Sequence, residues 1–149
     1  MACHARKAAF PGRAACFAIG HLVGGCSVHA DMVESYVRDL LERLTGVRPE
    51  PDHDGDLPVQ LGGALFNVRV DNPADPVVQV FSVAVADSKS TAKVNRALND
   101  INARLRFTRI FHVRDQVLIE SEIWGSDVNA NNLEYACRSI AAATDAFGT

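Results

Sequence analysis

Four side chains near the start of the chain are of the types that bind zinc. They are Cys16, His21, Cys26 and His29, and a structural zinc ion takes four such ligands in a tetrahedron. Gaps of four, four and two residues separate them, whereas zinc knuckles pair cysteine with cysteine and histidine with histidine. The spacing therefore gives a zinc site little support.

A second candidate metal site is the acidic run over residues 49–56, which contains three aspartates. A calcium-binding loop needs glycine at its sixth position and a bidentate glutamate at its twelfth. Counting from Glu50 places Gly55 correctly but puts Leu61 at the twelfth position, and counting from Asp52 fails at both positions. We therefore predict a solvated turn that leads into a strand, and no metal.

Enzymatic chemistry has few candidates in the rest of the chain. His112 lies in an apolar strand pattern, and Glu120 and Glu122 share one strand face, where a solvated surface explains them. Cys137 lies among apolar residues of a helical pattern, which is typical of a core residue. The sequence contains no Gly-x-Ser-x-Gly, Walker or Gly-x-Gly-x-x-Gly motif. We therefore predict that the protein is not an enzyme and uses no cofactor.

The overall composition is that of one globular domain. Of the 149 residues, 48% are apolar and 22% are charged, and the formal net charge is -3. The sequence has no basic stripe interleaved with aromatic residues, which argues against nucleic acid as a partner. The four cysteines form no Cys-x-x-Cys pair, and a chain this rich in apolar residues needs no disulfide framework. Reduced thiols in the cytoplasm are the simpler expectation.

Residues 1–30 differ from the rest of the chain, since they hold three basic residues and no acidic one. Besides the zinc site, two interpretations are open. A targeting signal would use the apolar run over residues 14–23, which Gly20 and His21 interrupt and which is too short to span a membrane. A weakly ordered N-terminal extension is the simpler interpretation, followed by one domain over residues 31–149.

Apolar periodicity then predicts three helices. The first covers about residues 32–45, with Asp31 and Glu34 as a capping box and Gly46 as the C-terminal cap. Ser90 or Thr91 caps the second helix. The apolar stripe of the second helix is Val94, Leu98, Ile101 and Leu105, and that of the third is Leu133, Ala136, Cys137, Ile140, Ala143 and Phe147.

Alternation and turn residues predict five strands. They cover residues 57–61, 64–71, 77–86, 107–113 and 117–123. Residues 77–86 are the most apolar, so we place this strand centrally and covered on both faces. Every strand-to-strand link is short, which favours an antiparallel sheet. The fold class is α+β, with the order α-β-β-β-α-β-β-α.

Three segments resemble the YbjN and type III secretion chaperone-like proteins of bacteria. Residues 54–59 (DGDLPV) are similar to the start of the first strand in that family, and residues 76–82 (PVVQVFS) resemble its third strand. Residues 98–111 (LNDINARLRFTRIF) are similar to its most distinctive run. Two residues depart from the family pattern: Thr108 stands where glycine is frequent, and His112 replaces a common tryptophan.

The resemblance implies a non-enzymatic, chaperone-like protein that forms a homodimer and binds a peptide segment or a protein partner. Such proteins hold extended clients along apolar grooves and by strand addition at sheet edges. The candidate peptide-binding residues are Tyr36, Leu40, Leu44, Phe66, Phe81, Phe111 and Trp124, although residues of these types more often lie in the core. The alternative is a regulatory or structural interaction module that binds one folded partner.

Overall fold

The computed structural model describes residues 29–147 of the chain. The helices are α1 (Ala30–Thr45), α2 (Ala92–Asn102) and α3 (Ala130–Phe147), with a short 3-10 turn at Gly125–Asp127. The strands are β1 (Leu57–Leu61), β2 (Ala64–Asp71), β3 (Val77–Val85), β4 (Arg109–Val113) and β5 (Gln116–Trp124). The hypotheses on residues 1–30 concern positions that lie, apart from the last two, outside the described residues.

The five described strands form one antiparallel sheet in the order β1-β2-β3-β5-β4. The predicted α+β class and the predicted order of elements are confirmed. β3 lies at the centre of the sheet, as its apolar sequence indicates, and β1 and β4 form the two edges. β4 begins at Arg109, whereas the sequence predicted residue 107.

The start of α1 differs from the prediction, because the helix begins at Ala30 and not at residue 32. The N-cap is His29, without a side-chain cap hydrogen bond, so the predicted capping box is wrong and Asp31 lies inside the first turn. The predicted C-cap is confirmed, since Gly46 has φ of +79° and its N–H donates to the Glu42 carbonyl. Thr91 caps α2 by accepting a hydrogen bond from the Val94 N–H at 3.2 Å.

All three helices pack on one face of the sheet, here called the helix-covered face. Its core residues include Val59, Phe66, Val80 and Ile119 from the strands, Val37 and Leu41 from α1, and Leu133 and Ile140 from α3. Leu98 and Ile101 of α2 pack at its margin. Within residues 29–147, no helix is long and apolar enough to cross a membrane.

Cys137 lies inside this core, as predicted, with 0% of its surface exposed. Burial raises the pKa of its thiol to about 12, so the side chain stays a neutral thiol and behaves as a small apolar residue.

The opposite, helix-free face carries Phe81, Phe111 and Leu118. The sequence predicted that both faces of β3 are covered. This prediction is confirmed at Phe81, which is 6% exposed, but it is wrong at Val83 and Val85, which are 39% and 43% exposed.

One asparagine of α2 caps the edge strand β4. The Asn102 Nδ2 donates to the Ile110 carbonyl oxygen at 2.7 Å, and its Oδ1 accepts from the Ile110 N–H at 2.8 Å. The Asn102 side chain thereby bonds the two backbone groups of Ile110 that would otherwise face a neighbouring strand. Asn102, the last residue of α2, thus caps a strand with its side chain.

We expect Asn102→Ala to lower the free energy of unfolding by about 1–3 kcal/mol, because it leaves two backbone groups of Ile110 without partners. Urea unfolding followed by circular dichroism measures the change. Asn99→Ala is the matched control, since Asn99 is exposed on the same helix and its loss should leave the stability almost unchanged. Equal effects of the two substitutions would contradict the capping role.

Gly125 joins the end of β5 to the start of β3. Its N–H donates to the Pro76 carbonyl oxygen at 2.7 Å, and a Cβ added at Gly125 would lie 2.8 Å from that oxygen and 2.9 Å from the Pro76 Cβ. Such contacts are too close for any residue but glycine, so the close approach of the two strand ends depends on Gly125.

We therefore expect Gly125→Ala to destabilise the protein by about 1–3 kcal/mol through overpacking. Gly63→Ala is the control, because the nearest atom to a Cβ at Gly63 is the Asp145 Oδ1 at 3.9 Å. Thermal unfolding of both variants measures the difference, and a Gly125→Ala protein as stable as the control would refute the close-approach argument.

Candidate functional site

The end of β5 has one unpaired side. β4 pairs with β5 only as far as Arg109 opposite Glu120, whereas β3 continues along β5 as far as Val77 opposite Trp124. Residues 121–124 therefore have a strand on one side only within the described part of the chain. An unpaired strand side presents backbone N–H and C=O groups in a row, which can accept a further strand.

The register decides which backbone groups face this open side. Two-residue turns close the β1–β2 and β4–β5 hairpins, so Leu61 with Ala64 and Val113 with Gln116 form hydrogen-bonded pairs. Hydrogen-bonded pairs alternate with non-hydrogen-bonded pairs along antiparallel strands, so counting from either hairpin gives the same result. The backbone groups of odd-numbered residues in β5 bond to β3, and those of even-numbered residues point toward β4. The N–H and C=O groups of Glu122 and Trp124 thus point into the space beyond the start of β4.

Phe107 opens this space by turning the chain away from the sheet. It would lie opposite Glu122 if β4 began earlier, but its φ is +58°, which bulky L-residues adopt rarely and at a cost. The buried Ser121 hydroxyl donates to the Phe107 carbonyl oxygen at 2.8 Å and holds this conformation. The left-handed residue thus lies one position before Thr108, where glycine is frequent in the resembling family.

Three exposed aromatic side chains line the resulting groove, which has a volume of about 550 Å³. Phe107, Trp124 and Tyr135 are 82%, 57% and 54% exposed. The Phe107 and Tyr135 rings meet edge to face, with centroids 6.2 Å apart and an interplanar angle of 85°. We call this surface, with Ser121, Ile123 and Ala136 also in its lining, the aromatic groove.

Polar side chains fix the start of α3, which forms one wall of the aromatic groove. The Asn129 Oδ1 accepts from the Asn132 N–H at 3.0 Å, and both asparagines donate through Nδ2 to the Asp127 carbonyl oxygen. Leu133 and Ala136 are buried in the core. Tyr135 therefore projects from an anchored turn of helix, on the side that faces Phe107.

The charges at the groove are acidic. Glu122 and Asp127 line it, and no basic side chain of the described residues does. Arg109 bridges Glu122 at 3.0 Å and Glu120 at 3.2 Å beside it.

Glu120 is 5% exposed, so its interpretation as a solvated residue is wrong, whereas Glu122 is exposed. Burial raises the pKa of Glu120, and the hydrogen bond from Arg109 counteracts part of that rise.

The seven residues proposed from the sequence do not form one surface. Leu40 and Phe66 are 5% and 1% exposed in the core, and Phe81 and Phe111 lie on the helix-free face beneath Arg69 and Arg109. Tyr36 is exposed on α1, and Leu44 is half-buried beside a smaller cavity of about 300 Å³ between α1 and α3. Of the seven, Trp124 alone lies in the aromatic groove.

Sequence reasoning missed Phe107 and Tyr135. Phe107 was assigned to a strand, and only its polar surroundings between Arg106 and Thr108 hinted at exposure. Tyr135 lies off the apolar stripe of α3, between Leu133 and Ala136 of that stripe. An aromatic residue outside the core stripe of an amphipathic helix is the signal that could have identified it.

The acidic loop and His112 have structural roles. Asp52 Oδ1 accepts hydrogen bonds from the N–H groups of Asp54 and Asp56 at 2.9 and 3.0 Å, which makes the segment a self-bonded turn. Asp56 then bonds Arg69. Asp52, His53 and Asp54 could contact a metal ion together, but His53 and Asp54 are exposed, and exposed acidic groups are common without an ion. The His112 Nε2 bonds the Ser88 carbonyl oxygen at 2.6 Å.

Comparison with known proteins supplies the family. A family model described as T3SS (YopN, CesT) and YbjN peptide-binding chaperone 1 matches residues 31–149, which is well over half of the chain. No curated protein matches the chain significantly. The match covers every described helix and strand apart from the first residue of α1. The chain therefore belongs to the family of T3SS (YopN, CesT) and YbjN peptide-binding chaperones.

Proposed function

We propose that this protein holds an extended segment of an unfolded client and catalyses no reaction. The observation that carries the proposal is the open side of β5 at residues 121–124 within the aromatic groove. A client strand placed there would pair with the N–H and C=O groups of Glu122 and Trp124, as in other cases of strand addition. At about 3.3 Å per residue, this open side accommodates a strand of roughly four residues.

Side chains of the client would supply the rest of the affinity. Alternate residues of an added strand point to the same face, so every second client side chain would enter the groove between Phe107 and Tyr135. Large aromatic side chains with much of their surface exposed lose that surface on binding and are the usual centres of affinity in interfaces. We therefore assign Phe107, Trp124 and Tyr135 as the main contacts.

The acidic lining selects among apolar segments. Glu122 and Asp127 border the groove, and exposed aromatic faces attract cations. A client segment with apolar residues and a neighbouring lysine or arginine fits this surface better than an equally apolar segment flanked by acidic residues.

The two outer edges of the sheet favour the same assignment. The outward-facing residues of β1 include Pro58, which has no N–H to donate. On β4, Asn102 already bonds the outward-facing groups of Ile110. Strand addition at either outer edge would therefore lose hydrogen bonds that the open side of β5 can form.

Two side chains that could act as nucleophiles are unsuited to catalysis. The Ser121 hydroxyl, 2.8 Å from the Phe107 carbonyl, has no histidine or lysine in the groove lining beside it, and Cys137 has a raised pKa inside the core. These contacts support holding over catalysis. The cysteine pattern adds a cytoplasmic location to the proposal, and the resemblance adds a homodimer, which is testable by sedimentation equilibrium.

Replacing groove aromatics should weaken client binding. We expect Trp124→Ala or Tyr135→Ala to raise the Kd for a permanently unfolded, basic probe, reduced carbamidomethylated lysozyme, by about 10- to 30-fold, as for central aromatic contacts in other interfaces. Fluorescence anisotropy of the labelled probe measures the Kd.

Two further variants make this test discriminating. Met32→Ala removes an apolar side chain that is 65% exposed outside the groove and should leave the Kd unchanged. Tyr36→Ala tests the α1 surface suggested by the sequence, and a larger effect there than at Trp124 would move the site to α1. Binding to native lysozyme as tight as to the unfolded probe would favour an interaction module for folded partners and reject the holding function.

A further inference from the structure

The charges of the described chain are separated in space. Residues 87–115, which contain α2, hold seven lysines and arginines and three acidic residues, a formal net charge of +4. The other described residues, 29–86 and 116–147, hold five arginines and fifteen acidic residues, a formal net charge of -10. Because α2 packs on β4, the basic segment lies at the sheet edge opposite to β1 and the acidic loop that precedes it.

Five cations of this basic segment have no carboxylate partner. Arginines in other parts of the chain, such as Arg38, Arg48 and Arg138, form ion pairs. Around α2, five exposed side chains form no ion pair with any carboxylate of the described residues, and we call them the basic surface: Lys89, Lys93, Arg96, Arg104 and Arg106. Neighbouring cations without counter-charges repel one another, and an anionic partner relieves that repulsion.

The two sides of α2 differ in what they contact. Its apolar residues Val94, Leu98 and Ile101 are half-buried at the margin of the core, and none of its residues is fully buried. On the outward side lies a shallow depression of about 310 Å³, lined by Ala92, Lys93, Arg96, Ala97 and Asp100. The small alanine side chains leave room for the backbone of a partner to approach between the two cations.

We propose that the basic surface binds an acidic segment of another protein. Charge complementarity carries the inference, since the cations are exposed, clustered and without partners in the described chain. The depression has no large apolar side chain in its lining, so the fitting segment is rich in aspartate or glutamate with small polar residues between them. The basic surface shares no lining residue with the aromatic groove, and this inference does not depend on the proposed function.

Two other anionic partners fit this surface less well. Helices that lie on membranes insert large apolar side chains, whereas the outward depression on α2 has only alanines between its charged residues. Proteins that hold single-stranded nucleic acid combine cations with aromatic rings on which bases stack. The aromatic residue nearest in sequence, Phe107, lies in a groove lined by Glu122 and Asp127, which would repel phosphate groups.

A synthetic acidic peptide tests the proposal with the full-length protein. The probe is a labelled peptide of alternating glutamate and serine, about eight residues long, which exceeds the roughly 16 Å length of α2. Fluorescence anisotropy at low ionic strength should give a Kd below about 1 mM, and the Kd should rise several-fold with added salt because exposed charges are screened. The same peptide with glutamine in place of glutamate should not bind.

Arg96→Glu and Arg43→Glu make a matched pair of variants. Both arginines are exposed on helices, neither has an ion pair with a described carboxylate, and both substitutions change the net charge equally. We expect Arg96→Glu to raise the Kd for the acidic peptide about tenfold, because it places a carboxylate in the depression. Arg43→Glu should change the Kd less than about twofold, since Arg43 lies on α1.

Several results would overturn the proposal. Equal effects of Arg96→Glu and Arg43→Glu would show that net charge and not the basic surface attracts the peptide. Tighter binding of an oligothymidylate or of phosphatidylglycerol vesicles at the same ionic strength would make nucleic acid or a membrane the partner. Trp124→Ala should leave the Kd for the acidic peptide unchanged, and a loss there would move the peptide to the aromatic groove.

Discussion

The conformation of one residue determines what the sheet can bind. Phe107 has a left-handed backbone, held by the hydrogen bond from the Ser121 hydroxyl to its carbonyl oxygen. If the chain were extended at this position, β4 could continue opposite Glu122 and close the side of β5 that is now open. The conformation is unfavourable for an aromatic residue, so the surrounding contacts must hold it. The same bend exposes the Phe107 ring beside Tyr135 and thereby forms one wall of the aromatic groove.

The rest of the fold keeps this opening rigid. β5 lies between β3 and β4 and is fixed by β3 along its full length up to Trp124. Gly125 then holds the end of β5 against Pro76. Asn102 anchors the start of β4 through Ile110, and Leu133 and Ala136 anchor the first turns of α3 in the core. A groove with preorganised walls loses less conformational entropy when an extended peptide binds, which favours affinity.

The sequence was informative wherever a periodic pattern reported on burial. The core positions of Leu133, Ala136, Cys137 and Ile140 in α3, the central position of β3 and the Gly46 cap all follow from apolar spacing or turn chemistry, and the structure confirms them. The apolar stripe of α2 is only partly buried. The sequence was less informative where tertiary contacts decide whether a side chain is buried or which conformation the backbone adopts. Phe66 and Trp124 were both candidate contacts, yet strand register places the first in the core and the second in the groove. Phe107 read as a strand residue, because its left-handed backbone depends on contacts with β5 that no local pattern encodes. Glu120 is buried although its alternation predicted exposure.

Client binding depends on a strand that pairs with the open side of β5. The most direct test is amide hydrogen exchange at single residues, measured by NMR with and without a saturating peptide selected from a library for binding to the protein. The account predicts that the Glu122 and Trp124 amides exchange rapidly in the free protein and slow markedly in the complex, because the peptide accepts their hydrogen bonds. The Ser121 and Ile123 amides, which already bond to β3, should be protected in both states. Unchanged exchange at Glu122 and Trp124 in a peptide-saturated sample would contradict strand addition at this site.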